Sequence, residues 1–196
     1  MRISASPHTK TRISSTQIML CVILALLPAA AAGCIRFGVQ ALILLAVTVG
    51  TAVISEALWC LILRKQQTVT DCSAVITGLL LGMSLPPAFP IVKAAIGSFF
   101  AVIIVKMLFG GIGRNFVNPA ATAYLFLFVV FHKEMTTWST TADAVSSATP
   151  LSAEQTNLWD LFLGSTAGSI GETCALGILL GWIFLCISKV ISPAPA

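Results

Sequence analysis

The stretch VQALILLAVTVGTAVISEALWCLIL, residues 39–63, decides the fold of this chain. It contains a single charged residue, Glu56, and is followed directly by Arg64 and Lys65. A helix rises about 1.5 Å per residue, so this stretch is long enough to cross the ~30 Å hydrocarbon core of a bilayer with some tilt. The sequence therefore predicts a membrane-spanning helix with a carboxylate inside it.

The composition of the whole chain points to the same class. Of its 196 residues, 57% are apolar and only 9% are charged, which differs strongly from the usage of a soluble globular domain. The net charge of +4 is scattered over short connections, so a nucleic-acid-binding surface is not expected. We therefore predict an all-α polytopic membrane protein.

Five further apolar segments bring the predicted number of transmembrane helices to about six, some of them short or broken. These segments cover residues 18–35, 74–85, 93–106, 119–131 and 168–187. The segment 74–85 contains Gly78 and Gly82 and stops at a group of prolines, as an interrupted helix does. Asn118 followed by Pro119 is a good helix start, because the amide can cap the helix and proline is favoured at its first position.

The positively charged residues predict the orientation. With a cytoplasmic N-terminus and six crossings, eight Lys and Arg residues fall on the inner side and three on the outer side. The inner set is Arg2, Lys10, Arg12, Arg64, Lys65, Lys106, Arg114 and Lys189, and the outer set is Arg36, Lys93 and Lys133. The chain then divides into a cytoplasmic tail (1–17), a membrane domain of about five helices (18–131), an extracytoplasmic loop (132–167) and a final helix with a short tail (168–196).

The cysteines and tryptophans are given structural interpretations. The six cysteines form no Cys-x-x-Cys pair and lie mostly inside apolar runs, so they are interpreted as small core residues and no metal site is predicted. An iron–sulfur site shared with a partner protein through Cys34 and Cys174 stays open as the alternative. Trp138, Trp159 and Trp182 are interpreted as interfacial or lipid-facing aromatic residues.

The long loop contains the polar interval Asp143-Ala-Val-Ser-Ser-Ala-Thr-Pro150. Its hydroxyl groups, at Ser146, Ser147 and Thr149, have no base, metal ligand or cysteine among them, so self-contained nucleophilic catalysis is not supported. Pro150 favours an extended backbone at Thr149, which presents the hydroxyl outward as the acceptor of a covalent modification requires. On composition alone the interval is an ordinary loop.

The same interval closely resembles the flavinylation signature Asp-x-x-Ser-Gly/Ala-Ala-Thr. This signature belongs to the D-type membrane subunits of Rnf complexes and the B-type membrane subunits of the sodium-pumping NADH:quinone oxidoreductase, in which FMN is esterified through its phosphate to the last Thr. The resemblance therefore implies covalent FMN on Thr149, with Asp143, Ser146, Ser147 and Ala148 around it. Ser147 stands where the family usually has Gly, a small-for-small departure, and the proline after the Thr favours the Rnf branch.

A second stretch, Phe109-Gly-Gly-Ile-Gly-Arg-Asn-Phe-Val-Asn-Pro-Ala120, nearly repeats the family's sequence at this position. Its glycines permit close backbone approach and unusual dihedral angles, and its Asn amides can satisfy backbone groups freed by a break in the membrane. A flavin phosphate or an ion can bind at the N-terminus of the helix that follows, and a packing turn is the alternative. The candidate binding residues are Gly110, Gly111, Gly113, Asn115 and Asn118.

Three acidic residues have both a functional and a structural interpretation. A carboxylate within an apolar span costs a few kcal/mol and usually faces a cavity or a partner, so Glu56 is predicted to be an ion or proton station, with a protonated or interfacial side chain as the alternative. The family has a matching acidic position. Glu172, in the family-like stretch 168–173, either contacts the flavin or an ion, or closes a capping box with Ser169 at the start of its helix. Asp71 is interpreted as a helix cap, with a functional site as the alternative.

These motifs occur in the family's order, and the chain resembles the D-type membrane subunits of Rnf complexes over nearly its whole length. The resemblance implies a bacterial inner-membrane component of an ion-translocating ferredoxin:NAD oxidoreductase, inactive alone, in which electron flow is coupled to sodium or proton movement. The implied cofactors are covalent FMN and a second flavin, riboflavin. The implied partners are the other Rnf subunits, a flavin transferase and membrane lipid.

Two alternatives remain at this point. One is the B-type membrane subunit of the sodium-translocating NADH:quinone oxidoreductase, and the other is half of a membrane channel or transporter without a redox cofactor. Family members usually continue with several more spans after the stretch 168–173, so this chain is expected to hold the first repeat of an inverted-repeat-type fold.

Overall fold

The computed structural model describes residues 14–64, 69–138, 159, 162 and 167–192, and every regular element within these ranges is helical. The α-helices are α1 (Ser15–Phe37), α2 (Val39–Ile62), α3 (Ser73–Ser84), α4 (Ile91–Phe100), α5 (Pro119–Val130), α6 (His132–Met135) and α7 (Ala175–Ile187). A 3-10 turn, Val69–Asp71, precedes α3, and α4 continues directly into a π-helix, Ala101–Met107. The prediction of an all-helical protein is confirmed.

Within the described ranges, α1 and α2 are the two helices that are long and apolar enough to cross a membrane. Gly38 joins them with a φ of 68°, which a residue without a Cβ adopts at little steric cost. Its N–H donates to the Cys34 carbonyl at 2.9 Å and so satisfies one of the free carbonyls at the end of α1. The first two helices are therefore joined by a one-residue turn.

α3 packs tightly against α2 because two glycines face it. A Cβ at Gly78 would lie 2.7 Å from the Thr48 carbonyl oxygen, and one at Gly82 would lie 2.4 Å from Thr48 Oγ1. Small residues at this spacing let two membrane helices approach closely. The start of α3 differs from the prediction: Cys72 is the N-cap and Asp71 ends the 3-10 turn, so the predicted Asp71 cap is wrong.

α4 and its π-helical extension run beside α2 and α5. Ser98 Oγ donates to the Thr48 carbonyl at 2.6 Å, and the rings of Phe100 and Phe126 stack with centroids 4.3 Å apart. The wider turn of a π-helix changes the angular position of the residues on it, and such turns are frequent at functional sites. Lys106 lies on this segment.

α5 begins where the sequence predicts. Asn118 Oδ1 accepts from the N–H groups of Ala120 at 3.0 Å and Ala121 at 3.4 Å, and Pro119 takes the first helical position. The side-chain oxygen thus satisfies backbone donors that a helix start leaves without partners. The predicted cap is confirmed.

α7 begins later than the sequence predicts. The Ser169 N–H donates to Glu172 Oε1 at 3.0 Å, as in half of a capping box, but residues 170–172 form a turn and the helix starts at Ala175. α7 then packs on α1, where a Cβ at Gly181 would lie 2.2 Å from the Ala25 carbonyl oxygen. The hydrogen bond expected from the capping-box spacing of Ser169 and Glu172 is present. The prediction that the helix begins at this point is wrong, since it begins at Ala175.

The long segments alternate in direction through the bundle. Gly78 lies against Val49 and Gly82 against Leu45, which makes α3 antiparallel to α2. Likewise, Gly177 contacts Ala29 and Gly181 contacts Ala25, which makes α7 antiparallel to α1. Ser98 contacts Thr48 and Lys106 contacts Glu56, so α4 and its π-helical extension run parallel to α2, and the end of α2 and the glycine-rich loop (108–118) lie at one end of the bundle. The turn between α1 and α2, the proline loop (85–90) and the turn 167–174 lie at the other.

Lys106, one of the eight Lys and Arg residues that the sequence assigned to the inner side, lies inside the helix bundle. Its side chain is only 2% exposed. A buried, paired lysine does not report on topology, because the positive-inside bias concerns residues in the connections. Without Lys106 the inner set is seven residues against three, and the expected orientation is unchanged.

Candidate functional site

A buried ion pair joins α2 to the π-helix. Lys106 Nζ donates to Glu56 Oε1 at 2.9 Å and to Ser73 Oγ at 2.6 Å. The Glu56 side chain is fully buried. Taking two charges out of water costs several kcal/mol per ion, so such a pair persists only where geometry and extra hydrogen bonds compensate. Glu56 thus faces a partner inside the bundle, as expected for a carboxylate in an apolar span.

The glycine-rich loop is fastened to the backbone of the same lysine. The Lys106 carbonyl accepts from the Gly111 N–H at 3.0 Å. With its nitrogen turned toward these carbonyls, the Asn115 amide donates to Lys106 O at 3.1 Å and to Gly111 O at 3.2 Å. The loop and the ion pair are therefore connected through one residue.

The three predicted glycines shape this loop through their backbone angles. Gly110, Gly111 and Gly113 have φ values of 103°, 88° and 79°, a region that other residues rarely adopt. A Cβ would meet nothing within 4 Å at Gly111 or Gly113, so conformation and not packing requires glycine at these two positions. Their predicted role in cofactor binding stays a prediction.

A cavity of about 320 Å³, called the lysine cavity below, opens beside the ion pair. Its polar lining consists of Ser73, Thr77, Lys106, Gly113, Asn115 and Asn118. Leu80 and Ile76 of α3 and Met19 of α1 supply apolar walls. The structure thus brings Gly113, Asn115 and Asn118 of the second motif to one cavity, and it places Lys106 in the same wall.

A second cavity, of about 430 Å³, lies farther along α3 and is called the aromatic cavity below. Its distinctive lining residues are the aromatic Tyr124 and Trp138 and the acidic Glu172. The rest of its lining is Leu80, Met83, Ser84, Ala121, Ser169, Gly171 and Ile178. Trp138, interpreted from the sequence as interfacial or lipid-facing, is therefore part of a cavity wall.

The stretch 168–173 closes this cavity by docking on the end of α3. The Gly171 N–H donates to the Met83 carbonyl at 2.8 Å, and the Ile170 N–H donates to the Leu85 carbonyl at 3.2 Å. These bonds satisfy carbonyls that the end of a helix leaves free. A Cβ at Gly171 would lie 2.7 Å from Met83 Cβ, so this position requires glycine. Glu172 both holds the turn through Ser169 and lines the cavity.

The two cavities meet at Leu80, which lines both of them. On the same helix, Thr77 Oγ1 donates to the Ser73 carbonyl at 2.9 Å and Ser84 Oγ donates to the Leu80 carbonyl at 2.8 Å. Hydroxyl groups therefore stand at both sides of one apolar side chain along α3.

A second ion pair fixes the start of the long loop. Lys93 of α4 pairs with Glu134 of α6, and its ammonium lies 4.5 Å from the centroid of the Phe131 ring. The hydrogen bond from Lys93 lowers the pKa of the Glu134 carboxyl below its ordinary value. This contact ties the short α6 helix to the bundle.

The predicted flavin site lies outside the described residues. It comprises Thr149 with Asp143, Ser146, Ser147 and Ala148. Within the described ranges, Trp138 precedes this segment and the turn 167–172 follows it, and both line the aromatic cavity.

Sequence reasoning missed the partner of Glu56 and the aromatic cavity. A signal for the partner was present, because Lys106 interrupts the apolar run 101–109 just as Glu56 interrupts its own. Two opposite charges in separate apolar spans are best satisfied by each other. Tyr124, the chain's single tyrosine, sits in an otherwise apolar helix and was a weaker signal.

Comparison with known proteins gives one family and several similar relatives. A model of the NQR2, RnfD, RnfE family matches residues 2–194. The chain is 40% identical, over 98% of its length and 64% of the relative's, to the D component of the Na(+)-translocating ferredoxin:NAD(+) oxidoreductase complex of Acetobacterium woodii. It is 39% identical, over 97% and 63%, to the proton-translocating counterpart of Clostridium ljungdahlii. It is 37% identical, over 97% and 67%, to the D component of the ion-translocating oxidoreductase complex of Shewanella amazonensis. The chain thus spans about 64% of the length of the first of these relatives.

Proposed function

Because this chain belongs to the NQR2, RnfD, RnfE family, we propose that it acts as a D-type membrane subunit of an ion-translocating ferredoxin:NAD oxidoreductase (Rnf) complex. It carries FMN through a phosphoester on Thr149, and its helices couple electron flow to sodium or proton movement. It is not catalytic alone, since other Rnf subunits must supply and remove the electrons and a flavin transferase must attach the FMN.

The aromatic cavity is the observation that supports the flavin part of this proposal. Its volume of about 430 Å³ falls in the range of small-molecule sites, which are mostly apolar with a few polar groups. Tyr124 and Trp138 offer ring surfaces to a flat aromatic ligand, and Glu172 offers a carboxylate to its polar edge. The residues present fit an isoalloxazine ring.

The chain around the cavity suits a tethered cofactor. Thr149 follows Trp138 by only 11 positions, and an extended chain reaches at most about 3.6 Å per residue, so Thr149 can lie no farther than about 40 Å from Trp138 in the cavity wall. FMN supplies the electron transfer when it is bound, while the residues of this chain hold, orient and shield it.

The ion part of the proposal rests on Glu56. Ionisable residues inside membrane segments mark ion pathways more often than they serve packing alone. Glu56 is on α2, fully buried, and its partner Lys106 lines the lysine cavity. We propose that this carboxylate is a station on the path of the coupling ion.

The proposed location is the bacterial inner membrane, with a cytoplasmic N-terminus and an extracytoplasmic Thr149 loop. The alternating directions of the helices support this arrangement, because an odd number of crossings, five, between the N-terminus and the Thr149 loop puts the two on opposite sides of the membrane. The remaining Lys and Arg count favours the same orientation.

In-gel fluorescence tests the flavin proposal. The chain is expressed with its flavin transferase, denatured, and viewed under ultraviolet light after electrophoresis. We expect a fluorescent band that is lost in Thr149→Val and kept in the matched control Thr141→Val, which lies outside the signature. Intact mass should show the added FMN. An unlabelled wild-type chain would contradict the proposal and favour the channel or transporter alternative.

A turnover assay on the assembled complex tests the ion proposal. We expect Glu56→Gln to keep the fluorescent band while slowing ion-coupled electron transfer. Unchanged ion uptake would remove Glu56 from the path. In the same assay, reduction of quinone in place of transfer between ferredoxin and NAD would favour the B-type membrane subunit of the quinone-reducing complex.

A further inference from the structure

We propose that the ammonium group of Lys106 is the tethered occupant of a site for a monovalent metal cation, formed by Glu56 and Ser73, and that the cation binds when Lys106 withdraws into the lysine cavity. This inference rests on the proposed function in ion translocation. It names the residue that competes with the ion.

The two oxygen atoms that accept hydrogen bonds from Lys106 Nζ can serve as part of the ligand set of a small cation. Glu56 Oε1 at 2.9 Å and Ser73 Oγ at 2.6 Å both accept hydrogen bonds from the ammonium, so a lone pair of each points at the same position. Carboxylate and hydroxyl oxygens are hard ligands of the kind preferred by hard cations. A cation of the same charge can therefore replace the ammonium with little change in the ligands.

The lysine has a place to go. Lys106 itself lines the 320 Å³ lysine cavity, whose wall also carries Thr77, Asn115 and Asn118. A lysine side chain has a flexible four-carbon stem and three donors, so its ammonium can exchange one set of oxygen acceptors for another within its reach. Thr77 follows Ser73 by one turn of α3 and lies along this route.

Electrostatics makes the exchange mutually exclusive. Two cations beside one carboxylate in a low-dielectric site repel each other strongly, and a buried carboxylate without a cation is costly. The metal cation and the Lys106 ammonium therefore do not occupy the position beside Glu56 at the same time. This exclusion couples ion binding to the position of a side chain.

The backbone of Lys106 is bonded to the glycine-rich loop, so a movement of this residue affects the loop. The Lys106 carbonyl accepts from Gly111 and Asn115, and the lysine sits in a π-helix, whose turns are frequent at functional sites. A shift of Lys106 therefore acts directly on the loop that leads into α5.

Stability measurements on Lys106→Met test the proposal. The full chain is purified in detergent, and thermal unfolding is compared in sodium chloride and in choline chloride at equal ionic strength. Removing the tethered cation should lower the melting temperature in choline, and sodium should restore it by several degrees, because a ligand that binds only the folded state stabilises it. The wild-type chain should respond much less, since Lys106 competes for the site.

The matched control is the double variant Glu56→Gln/Lys106→Met. It keeps the shape of the pair but lacks the carboxylate, so its melting temperature should not depend on sodium. A sodium response of equal size in the double variant, or no response in the single variant, would overturn the proposed cation site.

A second measurement needs no substitution in the ion pair. Reductive methylation of the wild-type chain, read by peptide mass spectrometry, reports how often each lysine amine is accessible. Sodium should raise the labelling rate of Lys106 several-fold relative to choline, while Lys93, which pairs with Glu134, serves as the internal control. Equal Lys106 labelling in both salts would contradict the exchange.

These experiments separate the two proposals. The sodium response requires neither flavin nor partner subunits, so its absence leaves the Thr149 fluorescence test unaffected. Conversely, a chain without covalent FMN can still show the sodium response.

Discussion

The lysine cavity and the aromatic cavity lie on either side of Leu80, and the acidic residue beside each cavity is stabilised by a different kind of partner. In the first, the Glu56 carboxylate is fully buried and is paired with a lysine that the chain itself supplies. In the second, the Glu172 carboxylate is exposed to the cavity and is held by a backbone N–H of its own turn. The buried Glu56 carboxylate is stabilised by a cation, whereas the Glu172 carboxylate is held by a backbone hydrogen bond. The fold therefore provides a different kind of partner at each site.

The difference suggests different tasks for the two ends of α3. A site that already contains its own cation is suited to exchange that cation for another. A site lined by two aromatic residues and one anchored carboxylate is suited to hold a larger organic group. The following predictions test this contrast, beginning with the largest expected effect.

Removing one member of the buried pair should destabilise the protein most. Lys106→Met removes the ammonium that pairs with the buried Glu56 carboxylate, and breaking such a pair typically costs about 3–5 kcal/mol. Glu56→Gln/Lys106→Met should cost less than Lys106→Met alone, because it removes both charges. Chemical or thermal unfolding in detergent, without sodium, measures both. A double variant that is less stable than the single one would contradict the view that the broken ion pair is the main penalty.

Separating α3 from α2 should disturb both cavities together. Gly78→Ala places a methyl group 2.7 Å from the Thr48 carbonyl oxygen, a backbone atom that cannot move alone, and overpacking of this kind typically costs about 1–3 kcal/mol. Gly50→Ala on α2 is the matched control, since nothing lies within 4 Å of its Cβ, and it should be neutral or slightly stabilising. Equal melting temperatures for the two variants would argue against close α2–α3 contact.

Loss of the Glu172 carboxylate oxygen should affect only the aromatic cavity. Glu172→Ala removes the acceptor for the Ser169 N–H and should cost about 0.5–2 kcal/mol, as the loss of a cap does. Glu172→Gln keeps an acceptor oxygen and should be close to the wild type in stability. Neither variant should alter the sodium response of Lys106→Met, and a change in that response would show that the cavities are not independent.

The smallest effect expected is a pH dependence from the second ion pair. Lys93 lowers the pKa of Glu134 in the folded state below its value in the unfolded chain. The pair therefore stabilises the protein above the unfolded pKa of about 4.3, and this contribution is lost as the pH falls through the lower folded pKa. Melting curves over acidic pH should show this for the wild type, and Glu134→Gln should flatten the dependence.

Much of the architecture was predictable, because apolar runs and helix caps each depend on residues that are close together in the sequence. The helices α1, α2 and α5 and the Asn118 cap follow from their own residues, and the structure confirms them as helices and as a cap. The Asp71 cap and the early start of α7 were wrong because local spacing does not reveal how Cys72 turns or how residues 168–173 dock on α3. The Thr149 site stays a prediction based on its sequence.

The sequence by itself determined that this chain is a helical membrane protein, because its apolar runs are long enough to cross a bilayer and only 9% of its residues are charged. It also determined where the motifs of the family lie. Only the tertiary structure decided that Glu56 meets Lys106 and that Tyr124, Trp138 and Glu172 surround one cavity. The physical reason is that these contacts join residues far apart in the chain. Their meeting depends on how glycines let the helices approach and on the angular position that the π-helix gives to Lys106.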